Sequence, residues 1–144
     1  MPKPRPEYDI NEFLTACYEA CKIDLSRVAL ENWVLDKASD HFNLKTKRAL
    51  LEFIANGGLE QLEFINSADY RLSKDIPPAK CDSYKFISGF IEGYLSFYYR
   101  KVSKRWIIKS FHRLDDSYET TISLAIRKAG LSMEYDKRTE TNGK

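Results

Sequence analysis

The chain has 144 residues, of which 13% are aromatic, and its net charge is +2. This length fits one domain with a hydrophobic core, and the composition excludes a disordered polypeptide. The apolar runs are too short to span a bilayer, and no apolar signal segment follows the Pro-rich start, so we expect a cytoplasmic protein without membrane contact.

The first half of the chain is predicted to be helical. Residues 1–8 contain three prolines and are expected to form a flexible lead. Apolar residues at spacings of three and four then predict a helical part over 9–66. The expected helices are 9–22, 26–41, 45–56 and 59–66, and a Gly pair is expected to end the third.

The second half is predicted to form an antiparallel sheet. Residues 67–83 are expected to be a loop, and alternating apolar residues predict strands within 84–113 around a polar turn at 100–104. A C-terminal helix is expected over 116–130, followed by a flexible tail over 132–144. The whole chain is thus predicted as a single domain of the α+β class, in which N-terminal helices precede a small antiparallel sheet and one helix.

Positive charge is concentrated in the predicted sheet. The segment from Lys80 to Arg113 has eight Lys or Arg residues and two acidic residues, so its net charge is +6 and that of the remainder is −4. Aromatic side chains are interleaved with these cations. Because phosphates attract cations and unstacked bases stack on aromatic rings, this segment predicts RNA binding. The candidate RNA-binding residues are Lys85, Lys101, Lys104, Arg105, Lys109 and Arg113.

Motifs of metal-dependent and nucleotide-dependent enzymes are absent from the sequence. There is no Gly-rich phosphate loop, no HExxH and no GxSxG, and the chain contains two histidines. Cys17 and Cys21 lie four residues apart, but no further His or Cys completes a zinc set, so packing in the core is expected for both. We therefore expect neither a metal nor a cofactor.

The same segment contains groups suited to metal-free cleavage of RNA, which requires a base, an acid and a cation beside the phosphate. His112 is the natural titrating group, since an ordinary histidine has a pKa of about 6.5. The predicted catalytic set is His112 with Tyr94, Tyr98 and Arg100 of the preceding strand. The alternatives are structural: His112 as a hydrogen-bonded histidine at a strand end, and Tyr98 as a cross-strand packing residue.

Strict alternation along a regular strand divides the last predicted strand into two faces. One face would carry Trp106, Ile108, Ser110 and His112, and the other would carry Ile107, Lys109, Phe111 and Arg113. A single site would then use His112 or Lys109 with Arg113, but not both sets. We therefore expect Lys109 to be peripheral to the site, and Trp106 to pack in the core.

Four segments of the chain occur in an order known from one toxin family. They are Gly58-Leu59, Phe64-Ile65-Asn66-Ser67-Ala68-Asp69-Tyr70, Gly93-Tyr94-Leu95-Ser96-Phe97 and Trp106-Ile107-Ile108-Lys109-Ser110-Phe111-His112. Over residues 58–113 this order resembles the MqsR-type toxins, which cleave RNA and belong to the wider RelE-like (barnase–colicin–RelE) fold. A family lysine is missing near Asn66, and another is replaced by His112. The resemblance implies a RelE/MqsR-like fold, an endoribonuclease toxin and a protein antitoxin as its partner.

Two other functions fit the sequence. A non-catalytic nucleic-acid-binding regulator would use a helix-turn-helix within residues 24–55, with Lys45, Lys47 and Arg48 on the second helix. A protein-binding module, such as an immunity or antitoxin-like protein, would instead bind its partner through the sheet edge and the aromatic residues. The oligomeric state does not follow from the sequence.

Overall fold

The computed structural model describes residues 5–71, 73 and 75–115. The chain divides into two units after Leu114, and the fold below is that of the first. Its helices and strands are α1 (Ile10–Lys22), β1 (Val28–Leu30), α2 (Val34–Phe42), α3 (Lys47–Ala55), β2 (Glu60–Asp69), β3 (Lys80–Ser88), β4 (Ile91–Arg100) and β5 (Arg105–Arg113). A short 3₁₀ helix, Leu25–Arg27, precedes β1. None of the described helices is long and apolar enough to cross a membrane.

The strands form one five-stranded sheet in the order β1-β5-β4-β3-β2. The strands β2 to β5 pair with antiparallel neighbours, whereas β1 pairs in parallel with β5. The predicted fold, with N-terminal helices and a small antiparallel sheet, is therefore wrong, because the sheet is mixed and strands dominate the described residues. The predicted C-terminal helix at 116–130 and the tail at 132–144 lie outside the described residues.

The strand β1 lies inside the region 26–41, which the sequence predicts as one helix. Its three residues are too few to show alternation, and their partners, Trp106 to Ile108, are distant in the sequence. The helix α2 begins only at Val34. Apolar spacing therefore identifies this helix but not the strand before it, because that strand depends on a non-local partner.

The strand β2 replaces the helix predicted at 59–66. Its ladder with β3 changes register between Glu60 and Glu63 and again between Phe64 and Asn66. Such bulges interrupt the two-residue period of a strand. The apolar residues of β2 therefore recur at mixed spacings, which are typical of a helix when the sequence is considered alone.

Other elements agree with the predictions. The helix α1 follows Asp9, whose carboxylate accepts the N–H of Asn11 at 2.8 Å. The helix α3 follows Thr46, whose Oγ1 accepts the N–H of Ala49 at 3.0 Å. These caps satisfy N–H groups that the first helical turn leaves without a partner. The polar turn also joins β4 to β5 as predicted.

The helices and one face of the sheet share a hydrophobic core. The ring of Phe13 in α1 stacks on that of Phe97 in β4, with centroids 3.9 Å apart. Leu51 of α3 and Phe111 of β5 are completely buried in the same cluster. Burial of each such side chain contributes about 1.5–3 kcal/mol. Cys17 also packs in this core, as predicted.

The N-terminal segment is joined to the sheet through Asp82. This carboxylate is completely buried and accepts the N–H of Glu7 at 3.0 Å and that of Tyr8 at 2.9 Å. The ring of Tyr8 also meets the ring of Trp106 edge-on, with centroids 5.2 Å apart. Glu7 and Tyr8 are therefore ordered parts of the fold and do not belong to a flexible lead over 1–8.

Candidate functional site

The face of the sheet opposite the helices is here named the tyrosine face. Along β4, Leu95 and Phe97 point into the core, while Tyr94 and Tyr98 point to the tyrosine face. Tyr70, from the loop after β2, packs on this face against Tyr98, with ring centroids 4.9 Å apart. Its other members are Cys81, Ser83, Lys85, Ser96, Ile107, Lys109 and His112.

A β-bulge in β5 brings Lys109 to the tyrosine face. Ser96 of β4 pairs with Ser110, and the next residue, Phe97, pairs with Ile108, so Lys109 is an extra residue in β5. At a bulge, two residues of one strand oppose a single residue of its neighbour. Before Lys109 it is the odd-numbered Ile107 that lies on the tyrosine face, whereas after Lys109 it is the even-numbered His112.

The predicted separation of Lys109 from His112 is wrong. The Nζ atom of Lys109 lies 5.7 Å from the centroid of the Tyr70 ring, whereas Phe111, its predicted companion, is completely buried in the core. Ile108, which was predicted to share a face with His112, is also in the core. The bulge thus combines a primary amine and an imidazole on one face.

His112 and Tyr94 form the most compact pair of predicted catalytic residues. They are direct neighbours in the β4–β5 ladder, and their rings stack with centroids 5.1 Å apart and planes 16° apart. The Nδ1 atom of His112 lies 2.7 Å from the carbonyl oxygen of Arg113. Because a carbonyl only accepts, Nδ1 carries the proton, and Nε2 is the basic nitrogen of the neutral ring. The hydroxyl of Tyr94 donates to Ser83 at 2.9 Å, and the His112 side chain is 9% exposed.

Tyr98 belongs to a different cluster, centred on Glu31. The Oε2 atom of Glu31 accepts the hydroxyl protons of Tyr98 at 3.0 Å and of Tyr70 at 3.1 Å. Burial and the bond to Glu31 raise the pKa of Tyr70 to about 12. Burial and the charge of Glu31 also raise the pKa of Tyr98 well above its ordinary value. Both phenols therefore stay protonated at neutral pH and bind the carboxylate.

The four residues of the predicted catalytic set extend along the whole of β4. Tyr94 and Tyr98 are four residues apart, or about 13 Å along a strand, and Arg100 is about 20 Å from Tyr94. The Nε atom of Arg100 also lies 3.4 Å from Oδ1 of Asp75, whose side chain is 10% exposed. The structure therefore brings His112 and Tyr94 together and places Tyr98 and Arg100 at the other end of the face.

The predicted RNA-binding residues do not form one continuous surface. Lys85 lies on the tyrosine face but contacts Glu63 at 3.6 Å. Arg105 donates to the carbonyl oxygen of Ser26 at 3.2 Å. The remaining residues are Lys101 and Lys104 in the turn between β4 and β5, Lys109 at the bulge and Arg113 at the end of β5. Of this set, Lys109 is the residue that lines the same cavity as Tyr94.

Two residues that the sequence analysis did not select hold the bulge in place. The indole Nε1 of Trp33 donates to the carbonyl oxygen of Lys109 at 2.6 Å. The backbone N–H of Glu31 donates to that of Ile108 at 3.0 Å. Both residues follow β1, so the parallel edge strand fixes the irregularity in its neighbour. Because β1 is not predicted from the sequence, these two contacts are not predicted either.

Neither a reactive thiol nor a metal centre is evident in the described part of the chain. Burial raises the pKa of the Cys81 thiol, although nearby Lys109 acts in the opposite direction. A protonated thiol is a poor nucleophile. Within residues 5–71, 73 and 75–115, no group of three or more His, Cys, Asp or Glu side chains is arranged to hold a metal ion. The chemistry available on the tyrosine face is that of imidazole, phenol and amine.

Comparisons of the chain with protein-family models, with curated proteins and with solved structures give no match.

Proposed function

We propose that the protein is a metal-independent endoribonuclease of the toxin type, whose chemistry is carried out by His112, Lys109 and Tyr94 on the tyrosine face. The observation that carries the proposal is the bulge in β5, which places the Lys109 amine on the same face as the stacked Tyr94–His112 pair. An imidazole and a cation are the groups that RNA cleavage without a metal requires.

Each group has a defined role in the proposed reaction. The Nε2 atom of His112 accepts the proton of the ribose 2′-hydroxyl, and the 2′-oxygen attacks the adjacent phosphorus. The ammonium group of Lys109 stabilises the negative phosphorane. The bond to the 5′-oxygen then breaks, and Tyr94 donates a proton to that oxygen. The products are a cyclic phosphate and a free 5′-hydroxyl, and the proton held by His112 passes back to Tyr94 through solvent.

Tyr98 and Arg100 have a supporting role in this proposal. Their bonds to Glu31 and Asp75 hold the loop after β2 against the sheet, since Glu31 also binds Tyr70 of that loop. Loss of either side chain should therefore affect stability more than the chemical step. This differs from the sequence prediction, in which both residues were catalytic.

A second candidate is RNA binding without cleavage by the same face. The low exposure of His112, 9%, favours it, because base stacking on the partly exposed ring of Tyr94 needs no access to the imidazole. The helix-turn-helix alternative has less support. The guanidinium of Arg48 donates to the carbonyl oxygen of Cys21 at 2.9 Å, and is thus directed at α1.

The test is cleavage of single-stranded RNA by the purified full chain in the presence of a chelator. We expect His112→Ala and Lys109→Ala each to lower the rate about 10²-fold or more. Lys22→Ala is the matched control, because the Nζ of Lys22 lies over the Tyr18 ring at 5.3 Å but belongs to α1. Equal rates in all four proteins, or cleavage abolished by the chelator, would rule the proposal out.

The proposed biological role is that of a toxin acting on cytoplasmic RNA and neutralised by a protein antitoxin. Expression of the intact chain should then stop cell growth, and expression of the His112→Ala chain should not. A neighbouring gene whose product restores growth would identify the antitoxin. Growth arrest that persists with His112→Ala and Lys109→Ala would separate toxicity from the proposed site.

A further inference from the structure

A cavity of about 350 Å³ lies on the tyrosine face beside the Tyr94–His112 pair. It extends across the sheet from β2 to β5, and its walls include Asn66, Tyr70, Arg71, Ser83, Tyr94 and Lys109. This volume is within the range of small-ligand sites and is sufficient for one nucleotide. Because Tyr94 and Lys109 also belong to the proposed cleavage site, a nucleotide in the cavity would adjoin the scissile phosphate.

The cavity combines the two interactions by which proteins hold single-stranded RNA. Tyr94 supplies a partly exposed aromatic ring, on which a base can stack, whereas Tyr70 is 7% exposed and packs on Tyr98. Lys109 lies over the Tyr70 ring at 5.7 Å, and Arg71 is exposed at the rim, so that two cations are available to a phosphate. The acidic residue in the wall, Asp69, is bound to Lys80 at 3.0 Å, which offsets its negative charge.

Asn66 adds a group that distinguishes one base from another. It is an exposed residue of β2 and is the direct neighbour of Ser83 in the ladder with β3. Its amide presents one acceptor and one donor group, which can pair with two adjacent positions on a base edge. The bulge between Phe64 and Asn66 sets the face on which this amide lies.

Two other cavities suit a nucleotide less well. The first, of about 340 Å³, lies beside Tyr98 and contains the Glu31 carboxylate, which repels phosphate. The second, of about 500 Å³, contains Lys80 and Lys101, but the three acidic residues Glu7, Asp69 and Asp75 outnumber them. Neither has a side-chain amide in its wall. The cavity at Asn66 is therefore a better match to a base and its phosphate than either of these two.

We propose that this cavity binds one nucleotide of the RNA strand, with its base stacked on Tyr94 and its edge read by the Asn66 amide. The inference rests on the proposed function, since it supplies the base preference of the same site. Arg71 binds the backbone phosphate and contributes equally for every base. Asn66 is thus a specificity-determining residue, and Arg71 is a general RNA-binding residue.

The test uses four labelled oligonucleotides, each of a single base, and His112→Ala protein, which according to the proposed function binds RNA without cutting it. Fluorescence anisotropy should show about tenfold tighter binding of one oligonucleotide than of the weakest, as one bidentate amide–base pair provides. Adding Asn66→Asp or Asn66→Ala should abolish this preference. Adding Arg71→Ala should weaken the binding of all four by similar factors. Asn11→Asp, which makes the same charge change on α1, should alter nothing.

The outcomes separate the inference from the function on which it rests. A base preference that survives both Asn66 substitutions overturns the inference, even if His112-dependent cleavage is observed. A preference that depends on Asn66 in a protein that never cleaves RNA supports the nucleotide site and refutes the nuclease. Failure of all four oligonucleotides to bind overturns both.

Discussion

The indole N–H of Trp33 donates a hydrogen bond of 2.6 Å to the carbonyl oxygen of Lys109, the extra residue of the bulge in β5. Trp33 itself is 45% exposed, so its ring is positioned by this bond rather than by burial in the core. The contact links the segment between β1 and α2 to the position in β5 at which the alternation changes. The side chain of Lys109 consequently lies on the tyrosine face.

Trp33→Phe should therefore remove the hydrogen bond to the Lys109 carbonyl oxygen while retaining an aromatic ring. We expect the free energy of unfolding to fall by about 1 kcal/mol, the net value of one hydrogen bond, and RNA cleavage to fall several-fold. The substitution should have almost no further effect on cleavage in a Lys109→Ala background, because the group that it positions is absent. Equal effects in both backgrounds, measured by urea unfolding and cleavage rate, would contradict a positioning role.

Deletion of Lys109 should be tolerated structurally. Because it is the extra residue of the ladder, its removal leaves Phe97 opposite Ile108 and Ser96 opposite Ser110. The cost is about 1 kcal/mol for the lost bond to Trp33. Circular dichroism and urea unfolding should show a folded protein that no longer cleaves RNA.

Deletion of Lys85 is the matched control for the previous experiment. Its neighbours Tyr84 and Phe86 pair regularly with Leu95 and Gly93, without a bulge. Removing one residue from a regular ladder moves every later side chain to the opposite face. This variant should not fold. If the two deletion variants are similarly stable, Lys109 is not an extra residue of the ladder.

Stability should fall in alkaline solution as the tyrosines of the Glu31 cluster ionise. The folded-state pKa of Tyr70, about 12, lies above the ordinary value of 10.0. A raised pKa contributes stability that is complete below pH 10 and is lost as the pH rises towards 12. Tyr70→Phe should be less stable than the wild type at pH 8 and should lose less between pH 10 and 12. If the free energies of unfolding of the two proteins differ by the same amount at every pH, this contribution of Tyr70 is contradicted.

Asp82→Ala should release the N-terminal segment. The buried carboxylate accepts two backbone N–H groups, and loss of these charge-assisted bonds should cost about 3 kcal/mol. Amide hydrogen exchange at Glu7 and Tyr8 should accelerate. Asp24→Ala is the control, since that carboxylate accepts the N–H of Ser26 at 3.0 Å on the surface and its loss should be less costly. Unchanged exchange at both amides would contradict the anchoring role.

The sequence predicts the parts of this fold that depend on local pattern. The helices α1 and α3 have cap residues and regular apolar spacing, and the turn before β5 is marked by its polar residues. The strands β1 and β2 were missed because one is very short and pairs with a distant strand, while bulges disturb the period of the other. Local patterns do not contain this non-local information.

The lack of non-local information in the sequence pattern also affects the prediction of the candidate site. The sequence predicts one catalytic set that contains His112 and Tyr94, and the β4–β5 ladder pairs these two residues directly. It assigned Lys109 to the wrong face because strict alternation has no place for an extra residue. The bulge is fixed by Trp33 and Glu31, which the sequence analysis had placed in a helix.

The two register shifts of β2 also affect how the protein behaves among copies of itself. In the described sheet β2 is the edge strand next to β3, and Gln61 within it has a φ of +49°. A regular edge would offer an unbroken row of N–H and C=O groups to the strand of another molecule. Here the bulges interrupt that row, and the charge of Glu60 repels a second copy. The irregularity that concealed β2 in the sequence therefore protects the sheet against edge-to-edge aggregation.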